Sequence, residues 1–396
     1  MREKADYRVH ELDPAETDRM LEFRNRIFAP IPRDHWDSMG CTAVVATLEG
    51  RIRGAIPLQF RNFQLNSRMH VPAVFENAVG VEEGYRSRGV GTAMLDCAAE
   101  LIRDRAFALC VYRGGERSDG YRFYRKTGHG DLYYATYLRL PAEAIGSSWS
   151  TLCEQVETHP WSAAENLEEK LLPIFEQCYA SCGGFWTREK GFFQRVISSH
   201  VFRQGGARLY LVRQDGEITA YSIANPGDMD GYLIYDIASK DPGVFRRLVA
   251  RMALDAKEKG QDLRVLSNRE HAVFELFLDC GFEPEQNEPY IMARIVRPDR
   301  IFSVLSSHSE LKSLLELRAV TPHRDVVLNA PEHARFAATL YLKEHQLSRL
   351  LFCRMDLQSA LRTNMVRISP VSDRIATELS RIFAFSPWVT SRMDYI

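Results

Sequence analysis

The chain has 396 residues, 45% apolar and 26% charged, with a formal net charge of −1. These proportions exclude the disordered and collagenous classes, and the length exceeds what one hydrophobic core sustains, so two or three domains are expected. The near-neutral charge offers no global field for nucleic acid or an anionic membrane. No run approaches the roughly 18 apolar residues of a membrane span and none near Met1 resembles a signal, so the reading is a cytoplasmic protein with neither nucleic acid nor membrane as partner.

In chain order, residues 7–12 predict a strand. Asp13, Pro14 and Glu16 then open a helix with a capping box, and Met20, Phe23, Ile27 and Phe28 form its apolar stripe. A loop holding Asp34, His35, Trp36 and Asp37 follows. Residues 41–65 read as two strands meeting at Glu49-Gly50, and a further strand spans about 74–81. From Thr92 the pattern is helical, with Met94, Leu95, Ala98, Leu101 and Ile102 on one face. A strand at 106–112, a glycine-rich loop at 114–120, a short helix carrying Phe123 and Tyr124 that stops at Gly128, and a closing strand at 131–140 complete the first region.

The order then repeats: a helix near 165–182, strands flanking Asp215-Gly216, a strand at 232–238, a helix at 244–259, a strand at 263–266 and a helix ending at Gly281. Aligning Gly91 with Gly243 sets Tyr124 against Phe277, each four residues before a glycine. This pattern is a diverged duplication. Beyond 301 the texture changes to a leucine-rich helix near 309–317, strands near 324–329 and 335–342, and helices near 356–364 and 371–384. The stretch from Trp388 to Ile396 is apolar enough to dock onto protein. Eight cysteines are scattered, and the close pair Cys178 and Cys182 lacks partners for a zinc site, so no metal is expected.

The chemistry concentrates in Arg86-Ser87-Arg88-Gly89-Val90-Gly91, followed by Thr92. Free backbone N–H groups at the start of a helix, aided by its dipole, bind phosphates. Gly89 and Gly91 allow close approach, while Arg86 and Arg88 add charge-assisted hydrogen bonds. Such a pattern alone is common; its position between a β-rich strand and an amphipathic helix, with a strand and an aromatic-glycine helix beyond, makes it a coenzyme A signature. In the second copy Asp241-Pro242-Gly243-Val244-Phe245 replaces the turn, losing the arginines and placing a carboxylate where phosphate would lie. That copy is expected not to bind coenzyme A.

The stretches VGVEEGYRSRGVGTAML (79–95) and FYRKTG (123–128) resemble the GNAT superfamily of acetyltransferases. The whole chain resembles the Eis (enhanced intracellular survival) family of N-acetyltransferases. This resemblance implies an α+β fold: a catalytic GNAT domain at 1–141, a degenerate GNAT-like domain at 142–293 and a sterol-carrier-protein-like domain at 294–396. It implies acetyl-coenzyme A as co-substrate, its pantetheine arm running along Val79 to Val81, its thioester near Ala78 and Val79, and direct attack by an amine without an acyl-enzyme. Tyr124 matches the family's general acid, and the C-terminal carboxylate, here on Ile396, its general base. Family members commonly end in an aromatic residue and this chain does not.

Glu76 is the alternative base, Asn77 its neighbour on the strand, and Asp34 to Asp37 are candidates for binding the acceptor. His129 is the less favoured base because the chain turns away at Gly128. Cys97 and Cys110 are read as core rather than nucleophiles. The acceptor is expected to be a polyamine- or aminoglycoside-like molecule or a lysine, and the assembly a homo-oligomer, such as a hexamer. The alternative reading is a non-catalytic acyl-coenzyme A or lipid-binding protein.

Overall fold

The computed structural model describes residues 7–28, 30–77, 79–112, 116, 118–197, 206–228 and 231–395. The chain divides into two compact units, one of residues 1–30, 40–134 and 289–386, the other of 31–39, 135–288 and 387–396. Among the described residues, no helix is long and apolar enough to cross a membrane.

The first unit opens with β1 (Arg8–Glu11), β2 (Thr42–Leu48), β3 (Arg51–Gln64), β4 (His70–Glu76), β5 (Gly80–Val81) and β6 (Ala108–Tyr112). Asp13 accepts a hydrogen bond from the Ala15 N–H at 2.9 Å, starting a 3₁₀ turn that runs into the helix Thr17–Asn25. Met20 and Phe23 are buried as expected; Ile27 and Phe28 lie beyond the helix end and only half-buried. Glu49 and Gly50 both take positive φ, 50° and 70°, the backbone of a two-residue hairpin whose twist matches its strands. One face of the sheet, including Val44, Ile56, Leu58, Val74 and Leu109, packs on Val90, Met94, Leu95, Ala98 and Ile102 of the helix Val90–Ile102. The i, i+4 spacing of those apolar residues is what makes the helix amphipathic.

The strand expected at 74–81 is divided. Glu76 pairs with Leu58 and the Asn77 N–H bonds to Pro57 O at 3.1 Å, but Gly80 already faces Ala55. β3 thus pairs with two separate strands on this side, β4 up to Glu76 and β5 from Gly80.

Seven more strands are β7 (Gly130–Leu140), β8 (Val156–Pro160), β9 (Arg208–Gln214), β10 (Glu217–Asp228), β11 (Gly231–Ala238), β12 (Leu263–Ser267) and β13 (Glu283–Ile295). The two copies exchange their closing strands. In the first unit β6 pairs with β13 from Ala108↔Ile295 to Tyr112↔Ile291; in the second, β12 pairs with β7 from Leu263↔Leu140 to Ser267↔Thr136. The helices correspond as the repeat predicted: Val90–Ile102 with Pro242–Glu258, and Asp119–Lys126 with Ala272–Asp279. Both short helices stop at a left-handed glycine, Gly128 at φ 90° and Gly281 at φ 86°.

A separate sheet in the first unit orders β14 (Leu315–Val320), β15 (Asp325–Asn329), β16 (Phe336–Tyr341) and β17 (Arg367–Ser369) as β15-β14-β16-β17. The helix expected near 309–317 is instead a 3₁₀ turn, Glu310–Ser313, followed by β14. Leu315, Leu317 and Ala319 are buried alternately, a period of two that the adjacent leucines at 311 and 314 disguise. A helix at Glu344–Leu351 joins the expected helices Leu357–Arg362 and Asp373–Ile382. The α+β class and the tandem mixed-sheet arrangement are thus present.

Candidate functional site

Gly89 caps the helix Val90–Ile102 at φ 85°, with no side chain bonded to the helix start. The first bond of the helix is Ala93 N–H to Gly89 O, 3.0 Å, so the N–H groups of Val90, Gly91 and Thr92 point out of its positive end. Ser87 is also left-handed, at φ 59°, which gives the turn the concave run of backbone donors suited to an anion. A Cβ on Gly91 would lie 3.0 Å from the Phe123 ring, so helix and following aromatic approach only because that side chain is missing. These features fit a pyrophosphate.

Arg86, Ser87, Arg88 and Gly89 are exposed. Arg86 Nε donates to Val81 O at 3.1 Å, and the Arg88 guanidinium sits 5.6 Å from the Tyr85 ring centre. Thr92 borders an open cleft of about 740 Å³, also bordered by Arg125, Lys126, Arg294 and Lys343. Asp96 pairs with Arg294 at 2.9 Å, Arg125 with Asp131 at 3.4 Å, and Arg324 with Glu344, both on the cleft. The helix start thus opens beside a cleft lined by charges of both signs. Val79 and Val81 pack at the edge of the same core cluster as Tyr124.

The structure brings Glu76 and His129 together. His129 Nε2–H donates to Glu76 Oε1 at 2.8 Å, with both side chains fully buried, because a carboxylate only accepts. Glu76 Oε2 has no hydrogen-bond partner among the described residues. Thr127 Oγ1 lies 3.3 Å from His129 Nδ1, and the Tyr124 ring packs edge-on against the imidazole, 5.0 Å between centres. The sequence treated Glu76 and His129 as rival bases; they form one pair. Fifty-three positions separate them, and no local pattern announces such a contact. Gly128 does not turn His129 away: the His129 N–H bonds back to Tyr124 O at 3.0 Å.

Tyr124 is 4% exposed and lies in the cluster with Val90, Met94 and Leu109. Burial, then the nearby Glu76 carboxylate, pushes the Cys110 thiol pKa up; burial, then Glu11, does the same at Cys97. Neither favours the thiolate a nucleophile requires. Among the described residues, no three His, Cys, Asp or Glu gather to hold a metal ion.

Asp34 to Asp37 lie on a helix, Arg33–Met39, rather than a loop, and in the second unit. Trp36 and Met39, three apart, are buried with His35, and Arg33 pairs with Asp37 at 2.9 Å. This i, i+3 and i, i+4 spacing is helical, and it leaves Asp34 and Asp37 as the exposed members. Ile396 lies outside the described residues. In the second copy, Asp241 Oδ1 accepts from Gly243 N–H at 2.6 Å and Val244 N–H at 3.1 Å. A carboxylate of the chain itself thus occupies the helix start.

Residues 8–129 match the family model of the acetyltransferase (GNAT) family. None of the curated proteins matches the chain by sequence. Among solved structures, the chain resembles a GCN5-related N-acetyltransferase from Kribbella flavida at 14% identity and TM-score 0.66, covering 97% of this chain and 98% of that one. A conserved protein from Enterococcus faecalis V583, named a probable N-acyltransferase, gives 12% and 0.72, with coverages of 97% and 99%. Eis1 from Mycobacterium abscessus gives 13% and 0.64, with coverages of 98% and 99%. At such identities the likeness is one of fold. Residues 8–129 are thus the part of the chain that is similar in sequence to the acetyltransferase (GNAT) family, and over the rest the likeness is of fold alone.

Proposed function

We propose that the chain transfers an acetyl group from acetyl-coenzyme A to an amine by direct attack in a ternary complex. The acceptor is a polyamine- or aminoglycoside-like small molecule or a lysine side chain. The observation carrying this reading is the uncapped helix start at Gly89 behind two exposed arginines, set against the self-capped start at Asp241. Bound acetyl-coenzyme A supplies a thioester carbonyl open to a neutral amine.

The N–H groups of Val90, Gly91 and Thr92 hold the pyrophosphate, Arg86 and Arg88 add charge, and the backbone of Val79 to Val81 aligns the pantetheine arm. Tyr124 donates the proton that the departing sulfur gains; a phenol near pKa 10 is matched to a thiol near 8.5. The amine's proton goes to a base, for which Glu76, through its hydrogen bond to His129, and the Ile396 carboxylate are the candidates. Asp34 and Asp37 attract the cationic acceptor. The domain reading is 1–141, 142–293 and 294–396, in a homo-oligomer.

Thiol release from acetyl-coenzyme A, measured across a panel of amines, tests the proposal. Coenzyme binding with no turnover on any acceptor would overturn it and leave a non-catalytic acyl-coenzyme A or lipid-binding protein.

A further inference from the structure

The helix Asp119–Lys126 ends on Thr127 and the left-handed Gly128. The backbone N–H of Thr127 reaches Phe123 O and Tyr124 O, both at 3.1 Å, and that of His129 reaches Tyr124 O at 3.0 Å. The second copy closes its equivalent helix with the same bonds. Cys280 N–H reaches Leu276 O and Phe277 O at 3.2 and 3.0 Å, and Phe282 N–H reaches Phe277 O at 3.1 Å. The turn therefore forms with cysteine and phenylalanine where the first copy has threonine and histidine. The backbone requires neither Thr127 nor His129, and as buried polar side chains both carry a desolvation cost that apolar residues avoid.

The Thr127 hydroxyl lies 3.1 Å from Phe123 O and from Tyr124 O, and 3.3 Å from His129 Nδ1. Both carbonyls already accept backbone N–H groups, so the hydroxyl proton is free to turn toward Nδ1. A neutral imidazole donates from one nitrogen and accepts at the other, and the partner of one fixes the role of the other. A donor at Nδ1 thus keeps the ring proton on Nε2, where it meets Glu76 Oε1. Solvent reaches neither side chain of that pair. With Oε1 occupied, the partnerless Oε2 is the basic atom of the carboxylate, and a buried oxygen in that state is unfavourable until a donor arrives. An amine N–H is such a donor. The same imidazole lies edge-on against Tyr124, so one ring orients Glu76 and packs on the candidate acid.

We propose that Thr127 and His129 are positioning residues. Thr127 fixes His129 as the Nε2–H tautomer, His129 occupies Glu76 Oε1, and Oε2 is thereby presented to the acceptor amine and takes its proton. In that step an N–H bond of the acceptor breaks, its electron pair stays on nitrogen, and an O–H bond forms at Oε2, while the bond from Nε2–H to Oε1 is kept. The carboxyl returns the proton to water once product has left. Only the use of Oε2 rests on the function proposed above; the tautomer does not.

NMR of the full chain carrying isotope-labelled histidine reads the tautomer directly, and His129→Phe, which copies Phe282, identifies the signals by their loss. At neutral pH Nε2 should be protonated and Nδ1 bare; a protonated Nδ1 overturns the assignment. Thr127→Val should move the ring away from this tautomer and lower kcat about ten-fold, with coenzyme affinity within about two-fold, and Thr127→Ser should restore both. An unchanged ring in Thr127→Val, or equal losses in the valine and serine variants, overturns the role of the hydroxyl. Glu76→Gln should lower kcat by about 10²-fold or more; an unchanged kcat overturns the use of Oε2. A chain that acetylates no amine overturns the function, while the ring signals still decide the tautomer.

Discussion

The two copies begin the same helix in opposite ways. Gly89 leaves the N–H groups of Val90–Ile102 open, whereas Asp241 closes those of Pro242–Glu258 with its own carboxylate. The difference extends to the next helix. Tyr124 packs against His129, itself bound to buried Glu76; Phe277 packs against Phe245 and Phe282, at 5.0 and 5.1 Å between ring centres. A duplicated fold can thus keep one helix start open and close the other: the dipole of Pro242–Glu258 is met by the chain's own carboxylate, while that of Val90–Ile102 has no side-chain cap.

The comparison breaks first at Tyr124. Tyr124→Phe, which makes the first copy resemble the second, should lower kcat by about 10²-fold or more while coenzyme affinity, measured by calorimetry, stays within about two-fold. An unchanged kcat removes Tyr124 from the chemistry. Arg86→Ala with Arg88→Ala should weaken coenzyme binding by at least about ten-fold, with a smaller effect on kcat; equal affinity in the double variant would show that the turn binds through backbone alone.

Asp241→Ala sharpens the contrast. It should cost about 1 kcal/mol of stability in urea unfolding, Asp241→Asn should cost less, and coenzyme stoichiometry should remain one per chain. A second bound coenzyme in Asp241→Ala would mean that the carboxylate is the sole barrier, against the reading that the missing arginines matter too.

The smallest effect concerns His271, whose Nδ1 accepts from the Val273 N–H at 3.2 Å and so caps the helix Ala272–Asp279. It packs near Tyr179 and lines a small cavity with Asp236 and Asn268. Burial lowers its pKa from 6.5, so the unfolded chain takes up the proton first as pH falls. Its contribution is full above about pH 6.5 and is lost as pH falls through the lower folded value. His271→Asn, which keeps a capping oxygen, should flatten the dependence of Tm on pH in that window, and an identical slope would exclude His271 as its source.

The features legible in the sequence were those with a local signature. The turn at 86–91, the hairpin at Glu49-Gly50, the helix stops at Gly128 and Gly281 and the match of Tyr124 to Phe277 all follow from spacing and from backbone conformations that glycine accepts. Where two patterns overlapped, the reading was wrong: adjacent leucines near 311–315 mimicked a helix where β14 begins, and the polar run at 34–37 concealed a helix anchored by Trp36 and Met39.

What the sequence by itself determined is therefore most of the strands and helices, and that the helix start at Gly89 lacks the carboxylate that stands at Asp241. Only the tertiary structure decided that β7 and β13 complete each other's sheets, that Glu76 meets His129, and that Trp388 and Ser391 meet Asn268 and Asp236. Periods of 2 and 3.6 residues are written along the chain because neighbouring side chains share a face. A contact across tens or hundreds of residues leaves no such period, since it depends on how finished sheets and helices come to pack.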